Sequence, residues 1–129
     1  MKKDFQRWHG KKSQIDEIEK RPFFNQQEIW FCHLGANVGF EQDGRGDEFL
    51  RPVLVFRKFN NEVFWGVPLT KTKKNSKFYF NFSFMPGVES AAVLSQMRLI
   101  DGRRLARRVG YLPKGKFQEL IIKLKELFP

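Results

Sequence analysis

The chain has 129 residues, with 24 Lys and Arg against 14 Asp and Glu, a formal charge of +10. That length suits one domain with its own core. One cysteine excludes an internal disulfide, and no apolar run approaches the ~20 residues of a membrane-spanning helix. A positive field of this size favours polyanions: nucleic acid first, then an acidic protein, then an anionic membrane surface. The first residues, MKKDFQRWHGKK, lack the apolar stretch of a signal peptide. A lone Cys32 suits a reducing compartment. A soluble cytoplasmic protein is expected.

Residues 3–19 read as a helix, with Phe5, Trp8, Ile15 and Ile18 near one face. Arg21-Pro22 closes it, because the residue before proline is pushed out of the helical region. This segment, residues 1–26, is expected to pack on the main body as an extension.

From Glu28 the pattern turns to strands. EIWFCHLG is the first, and a polar loop from Gly39 to Leu50 follows. RPVLVFRKF is the second, and Asn60-Asn61 turns the chain into EVFWGVPLT, the third. After the basic loop KTKKNSK, KFYFNFSF places Phe78, Phe80, Phe82 and Phe84 on one face. SAAVLSQMRLI reads as a fifth strand, with Ser95-Gln96 mid-way along it. Arg108–Tyr111 is a short sixth.

A helix over 114–128 closes the chain, with Phe117, Leu120, Ile121, Leu124 and Phe128 as its apolar stripe. Five or six short strands with flanking helices predict a small curved or barrelled sheet. Most of the 15 phenylalanines belong in its core, and any left outside suit base stacking.

Most catalytic patterns are missing. One cysteine and two distant histidines make no zinc site, and no phosphate-binding glycine motif is present. His9 reads as a surface histidine of the first helix, His33 as structural and Cys32 as a small buried apolar residue. What remains lies at strand ends. Arg51 and Thr70 are symmetric about the Asn60-Asn61 turn, so an antiparallel hairpin sets them opposite one another, apart from any bulge.

A guanidinium beside a hydroxyl at a sheet edge can grip a phosphate. Lys71, Lys73, Lys74 and Lys77 follow directly, and Arg103, Arg104, Arg107 and Arg108 come later; all suit phosphate tracking. The competing reading pairs Arg51 with Asp47 or Glu48. The loop acids Glu41, Asp43, Asp47 and Glu48 would then hold Arg51 in an ion pair until substrate displaces them, under a loop made pliable by Gly39, Gly44 and Gly46.

The order EIW, GFEQ-loop-RPVLVF, VPLT, VLSQMRLID and RRVGYLPKGKFQELIIKL resembles the PemK/MazF family of toxins from type II toxin–antitoxin systems. The likeness runs from about Gln27 to Leu127, giving a toxin domain over 27–129. It implies an SH3-like barrel of the CcdB/MazF type with a C-terminal helix, acting as a homodimer. It implies a metal-independent endoribonuclease that cuts single-stranded RNA, chiefly mRNA, and is neutralised by an antitoxin.

Carried over, Arg51 and Thr70 match the pair implicated in cleavage. Glu41 and Gln42 match the loop that lines the RNA site, and Glu41 is the candidate general base. Ser95, Gln96 and Arg98 match the floor of the groove. No cofactor is implied. The loop between Gln42 and Arg51 is longer than in compact members, and the first 25 residues are additional. Two other readings use the same features: a toxin of this fold that inhibits DNA gyrase by binding, and a basic RNA-binding module without catalysis.

Overall fold

The computed structural model describes residues 3–37, 43–46, 48–71 and 73–129. Among these, seven antiparallel strands form a curled sheet: β1 (Glu28–His33), β2 (Leu50–Lys58), β3 (Val63–Thr70), β4 (Tyr79–Met85), β5 (Val88–Val93), β6 (Arg98–Asp101) and β7 (Leu105–Tyr111). The order across it is β4-β5-β3-β2-β1-β7, and β6 also pairs with β3. Helix α1 (Phe5–Asp16) precedes the sheet and α2 (Lys114–Lys125) follows it.

Val53, Leu54 and Val55 are all fully buried because β2 serves two cores. Leu54 joins Ile29, Val67, Leu69, Phe80 and Phe82 under Phe117, Leu120 and Leu124 of α2. Val53 and Val55 face the other way, among Phe24, Trp30, Cys32, Phe64 and Ile100. A strand between two apolar layers reads as a continuous apolar run, as this one does. Helix α2 stops at Lys125, so Phe128 stands exposed instead of ending the stripe. Lys123 and Lys125 in its last turn complement the helix dipole.

The strand expected over 90–100 is two strands. Residues Leu94–Gln96 form a 3-10 turn between β5 and β6. Both strands lie on the same edge of β3, with Leu69↔Ala92 at one end and Gly66↔Arg98 at the other. The five residues Val93–Met97 face only Val67 and Pro68 of β3, and the excess is taken up by the turn. Pro68 has no N–H to offer a ladder there.

The β2–β3 hairpin departs from expectation twice, and the two departures cancel. Its loop has three residues, closed by the Phe59 N–H donating to Val63 O at 3.2 Å, and Asn60 Oδ1 accepts from Glu62 and Val63. A bulge at Phe56 then moves the register back by one, restoring Val55↔Gly66 and Val53↔Pro68. Continued two residues, that register sets Arg51 across from Thr70.

Helix α1 is shorter than the expected 3–19. Asp4 caps it by accepting from the Arg7 N–H at 3.0 Å. Its buried stripe is only Trp8 and Ile15, packed with Ala36 and Phe49, while Phe5 and Ile18 are 51% and 41% exposed. Gly35 makes the contact possible: it has φ +78°, and a Cβ there would lie 1.8 Å from the Trp8 ring.

Candidate active site

Arg51 sits second in β2, opposite Cys32 of β1, and its side chain is buried. Its Nε–H donates to the Asp43 carbonyl and its Nη1 donates to the Leu69 carbonyl at 3.0 Å. These partners use two of the five N–H bonds of a guanidinium. Burial is the main influence on this group and lowers its pKa from the usual arginine value. The nearby Arg45 pushes the same way and Asp43 opposes. An arginine stays charged through such a shift.

The expected ion pair between Arg51 and the loop acids does not form among the described residues. The Glu48 carboxylate lies 2.7 Å from Lys11 Nζ, and the Asp43 carboxylate 2.9 Å from Lys3 Nζ. Both lysines come from α1 or the residues leading into it. Arg51 is held by main-chain oxygens, which orient it without cancelling its charge.

Arg51 and Thr70 open onto one cavity of about 590 Å³, with Phe31, Arg45, Gly46, Leu50, Pro52, Leu69 and Lys71. Three cations and a hydroxyl line it, and no carboxylate does among the described residues. Thr70 pairs with Ala91 of β5, which fixes its backbone from that side.

Ser95, Gln96 and Arg98 line a second cavity of about 320 Å³ with Leu34, Asn37, Pro68 and Met97. The two cavities draw on adjacent residues of β3, Pro68 lining one and Leu69 and Thr70 the other. The 3-10 turn turns Ser95 out to solvent. Glu41 and Gln42 lie outside the described residues, as do Asp47 and Gly39.

The basic residues divide. Lys71 lines the Arg51 cavity, whereas Lys73 and Lys74 lie back along β4, where the Asn81 amide bonds the Lys74 backbone in both directions. Arg103 is committed to Asp101 at 2.9 Å. Arg104 donates to the His33 carbonyl and lies over the Trp8 ring. Arg108 pairs with Glu28 at 3.1 Å. These three hold elements together instead of lining the cavities. Burial works against the charge of Asp101, but the bonds from Arg103 and Arg21 outweigh it and hold the carboxyl well below its usual range. His33 binds the Glu48 carbonyl through Nδ1 at 2.6 Å, the structural role expected of it.

Sequence reasoning missed Arg45 and Phe31. Arg45 was legible only as a cation inside an acidic loop; its main chain bridges Leu50 and so brings it to Arg51. Phe31 is half-buried, with the Arg107 guanidinium 4.5 Å from its ring centre. EIWFCH shows no alternation, so the outward face of β1 is not readable from it.

The model of the PemK-like, MazF-like toxins of type II toxin–antitoxin systems matches residues 25–128. The chain belongs to this family. No curated protein sequence matches it closely enough to add to that. Among solved structures, the MazF of Deinococcus radiodurans is similar at TM-score 0.65 and 22% identity, over 84% of this chain and 97% of that one. A Mycobacterium tuberculosis MazF toxin aligns at TM-score 0.60 and 16% identity, over 77% and 93%.

A mycobacterial endoribonuclease in complex with its cognate antitoxin aligns at 0.58 and 11%, over 81% and 92%. At these identities the likeness concerns the fold. It agrees with the PemK/MazF-type barrel expected from the motif order. Among the described residues no helix is long and apolar enough to cross a membrane, and no three His, Cys, Asp or Glu side chains gather as metal ligands.

Proposed function

We propose that this PemK/MazF toxin is a metal-independent endoribonuclease that cuts single-stranded RNA, chiefly mRNA in the cytoplasm. The observation that carries the reading is a buried Arg51 held by two main-chain carbonyls and opening, with Thr70, onto a cavity whose described lining has cations and no acid. In the reaction the ribose 2′-oxygen attacks the adjacent phosphorus and the bond to the 5′-oxygen breaks. The products are a 2′,3′-cyclic phosphate and a 5′-hydroxyl. DNA lacks the attacking group, which supplies the selectivity.

Negative charge grows on the phosphoryl oxygens in the transition state. Arg51, already fixed by its two carbonyl bonds, meets it with its remaining N–H bonds. Thr70 orients the phosphate or the 2′-hydroxyl. Glu41 is assigned as the base that removes the 2′-proton, since neither Arg51 nor Thr70 titrates near neutrality. Gln42, Lys71, Ser95, Gln96 and Arg98 grip flanking nucleotides along the two cavities. Lys73 and Lys74 extend the basic track along β4. The toxin acts as a homodimer and is neutralised by a cognate antitoxin, as fits its family. The toxin domain spans 27–129.

The test incubates the purified protein with a long mixed-sequence RNA in EDTA and maps the ends. Cuts with cyclic phosphate and 5′-hydroxyl ends are expected. RNA with a 2′-deoxy residue at the cut site should survive. Arg51→Ala should lower the rate at least ~10²-fold, the scale of one lost transition-state donor. A folded Arg51→Ala protein that cleaves normally, or activity that EDTA abolishes and magnesium restores, overturns the reading.

A further inference from the structure

Helix α1 stands before the segment matched to the family, yet it reaches Arg51 in two steps. Lys3 Nζ donates to the Asn37 carbonyl and lies 2.9 Å from the Asp43 carboxylate. That carboxylate also accepts from the Asn37 N–H at 2.6 Å. It thus ties together the two ends of segment 38–42, which carries Glu41 and Gln42. The carbonyl of the same Asp43 receives Arg51 Nε–H.

A second hold lies at the other end of the loop. Lys11 pairs with Glu48 at 2.7 Å, and the Trp8 ring packs on Phe49 with centroids 5.3 Å apart. Phe49 has φ +54° two residues before Arg51. A bulky side chain keeps that backbone only where its surroundings hold it. Its carbonyl accepts from Leu34 and Gly35 at 3.0 and 3.2 Å, which ties it to the end of β1. A helix that merely covered the barrel would need Trp8 and Ile15. It would not need its lysines to fall on the loop's two described carboxylates.

We propose that α1 is a positioning element of the Arg51 site: Lys3 and Lys11 draw the loop carboxylates away from the guanidinium and hold the Asp43 carbonyl on its Nε. The two described loop acids, Asp43 and Glu48, are thereby neutralised by the extension and not by the catalytic arginine, which leaves Arg51 open to a phosphate. The inference rests on the nuclease reading for its effect on rate, and on geometry alone for the hold on the loop.

The test compares the full chain with its Lys3→Met, Lys11→Met double variant. The expected kcat on RNA falls about 10- to 100-fold, the scale of a misplaced catalytic group, with KM little changed. Hydrogen exchange gives a readout independent of activity. The Gly44 N–H, bonded to the Gly35 carbonyl at 2.7 Å, should lose protection while the β2 amides keep theirs. Lys3→Arg with Lys11→Arg should restore both.

Unchanged or raised kcat overturns the positioning role, whatever the exchange shows. Unchanged Gly44 protection overturns the hold on the loop. If the unaltered chain cuts no RNA, the nuclease reading falls by itself and the exchange result still decides whether α1 holds the loop. Should the double variant fail to fold, Lys3→Met alone carries the same two measurements.

Discussion

At the scale of single residues the site turns on what holds a charge. A carboxylate partner would fix Arg51 and also neutralise it, and substrate phosphate would then have to displace the partner. Two main-chain carbonyls fix it and leave the full positive charge in a partly dehydrated cavity, where it acts more strongly than in water. Cys32, paired across the ladder from Arg51, is completely buried and lines no part of the cavity. Burial pushes its thiol up to about 12, and the nearby Arg104 and Arg98 oppose only in part.

A thiol this far from its thiolate is inert. At about pH 8 the native protein should resist iodoacetamide for hours and react fully once unfolded. Rapid native labelling would mean that the β1 core opens easily.

At the scale of elements, two short segments place the site. The 3-10 turn between β5 and β6 lets one edge of β3 pair with two strands, and it brings Ser95 and Gln96 to the cavity that Arg98 also lines. Helix α1 closes over the end of β1 through Trp8, whose ring occupies the place of a Gly35 side chain. Gly35→Ala therefore meets both a filled space and a left-handed backbone. It should destabilise the chain by about 1–3 kcal/mol, the usual cost of overpacking, or undock α1.

Thermal unfolding measures the first outcome, and a rise in tryptophan exposure to solvent quencher reports the second. A variant with unchanged stability and unchanged quenching would remove α1 from the account of the loop.

At the scale of the whole molecule, the surplus of ten positive charges is not spread evenly over function. Arg21, Arg103 and Arg108 have carboxylate partners, and Arg104 is committed to a carbonyl and an aromatic ring. Arg45, Lys71, Arg98 and Arg107 line or rim the two cavities. If these four meet phosphates, single-stranded RNA binding by the Arg51→Ala protein should fall with salt at a log–log slope of roughly −3, at about 0.7 per contact. A flat response would show that binding does not run through the cavities.

The amino-acid sequence by itself determined most of the elements, the hairpin, the order of motifs and the register that, continued past Val53↔Pro68, sets Arg51 across from Thr70. These follow from short-range rules. Side-chain period marks strand and helix, and a turn fixes the register of the strands beside it. Even there, the longer loop and the bulge at Phe56 were invisible, and the register held because their shifts are equal and opposite.

Only the tertiary structure decided which partner each charge takes. Lys3 meets Asp43 at a separation of 40 residues, and Arg21 meets Asp101 at 80. A carboxylate can pair with any cation that packing brings near, so sequence proximity offered Arg51 a partner in Asp47 or Glu48, and the folded chain gave Glu48 to Lys11. The fifth strand was misjudged for the same reason. Its apolar residues have strand character throughout, and the break at Leu94–Gln96 arises from fitting two strands to one edge of β3. Local preference chose the parts, and the competition among distant contacts chose their partners.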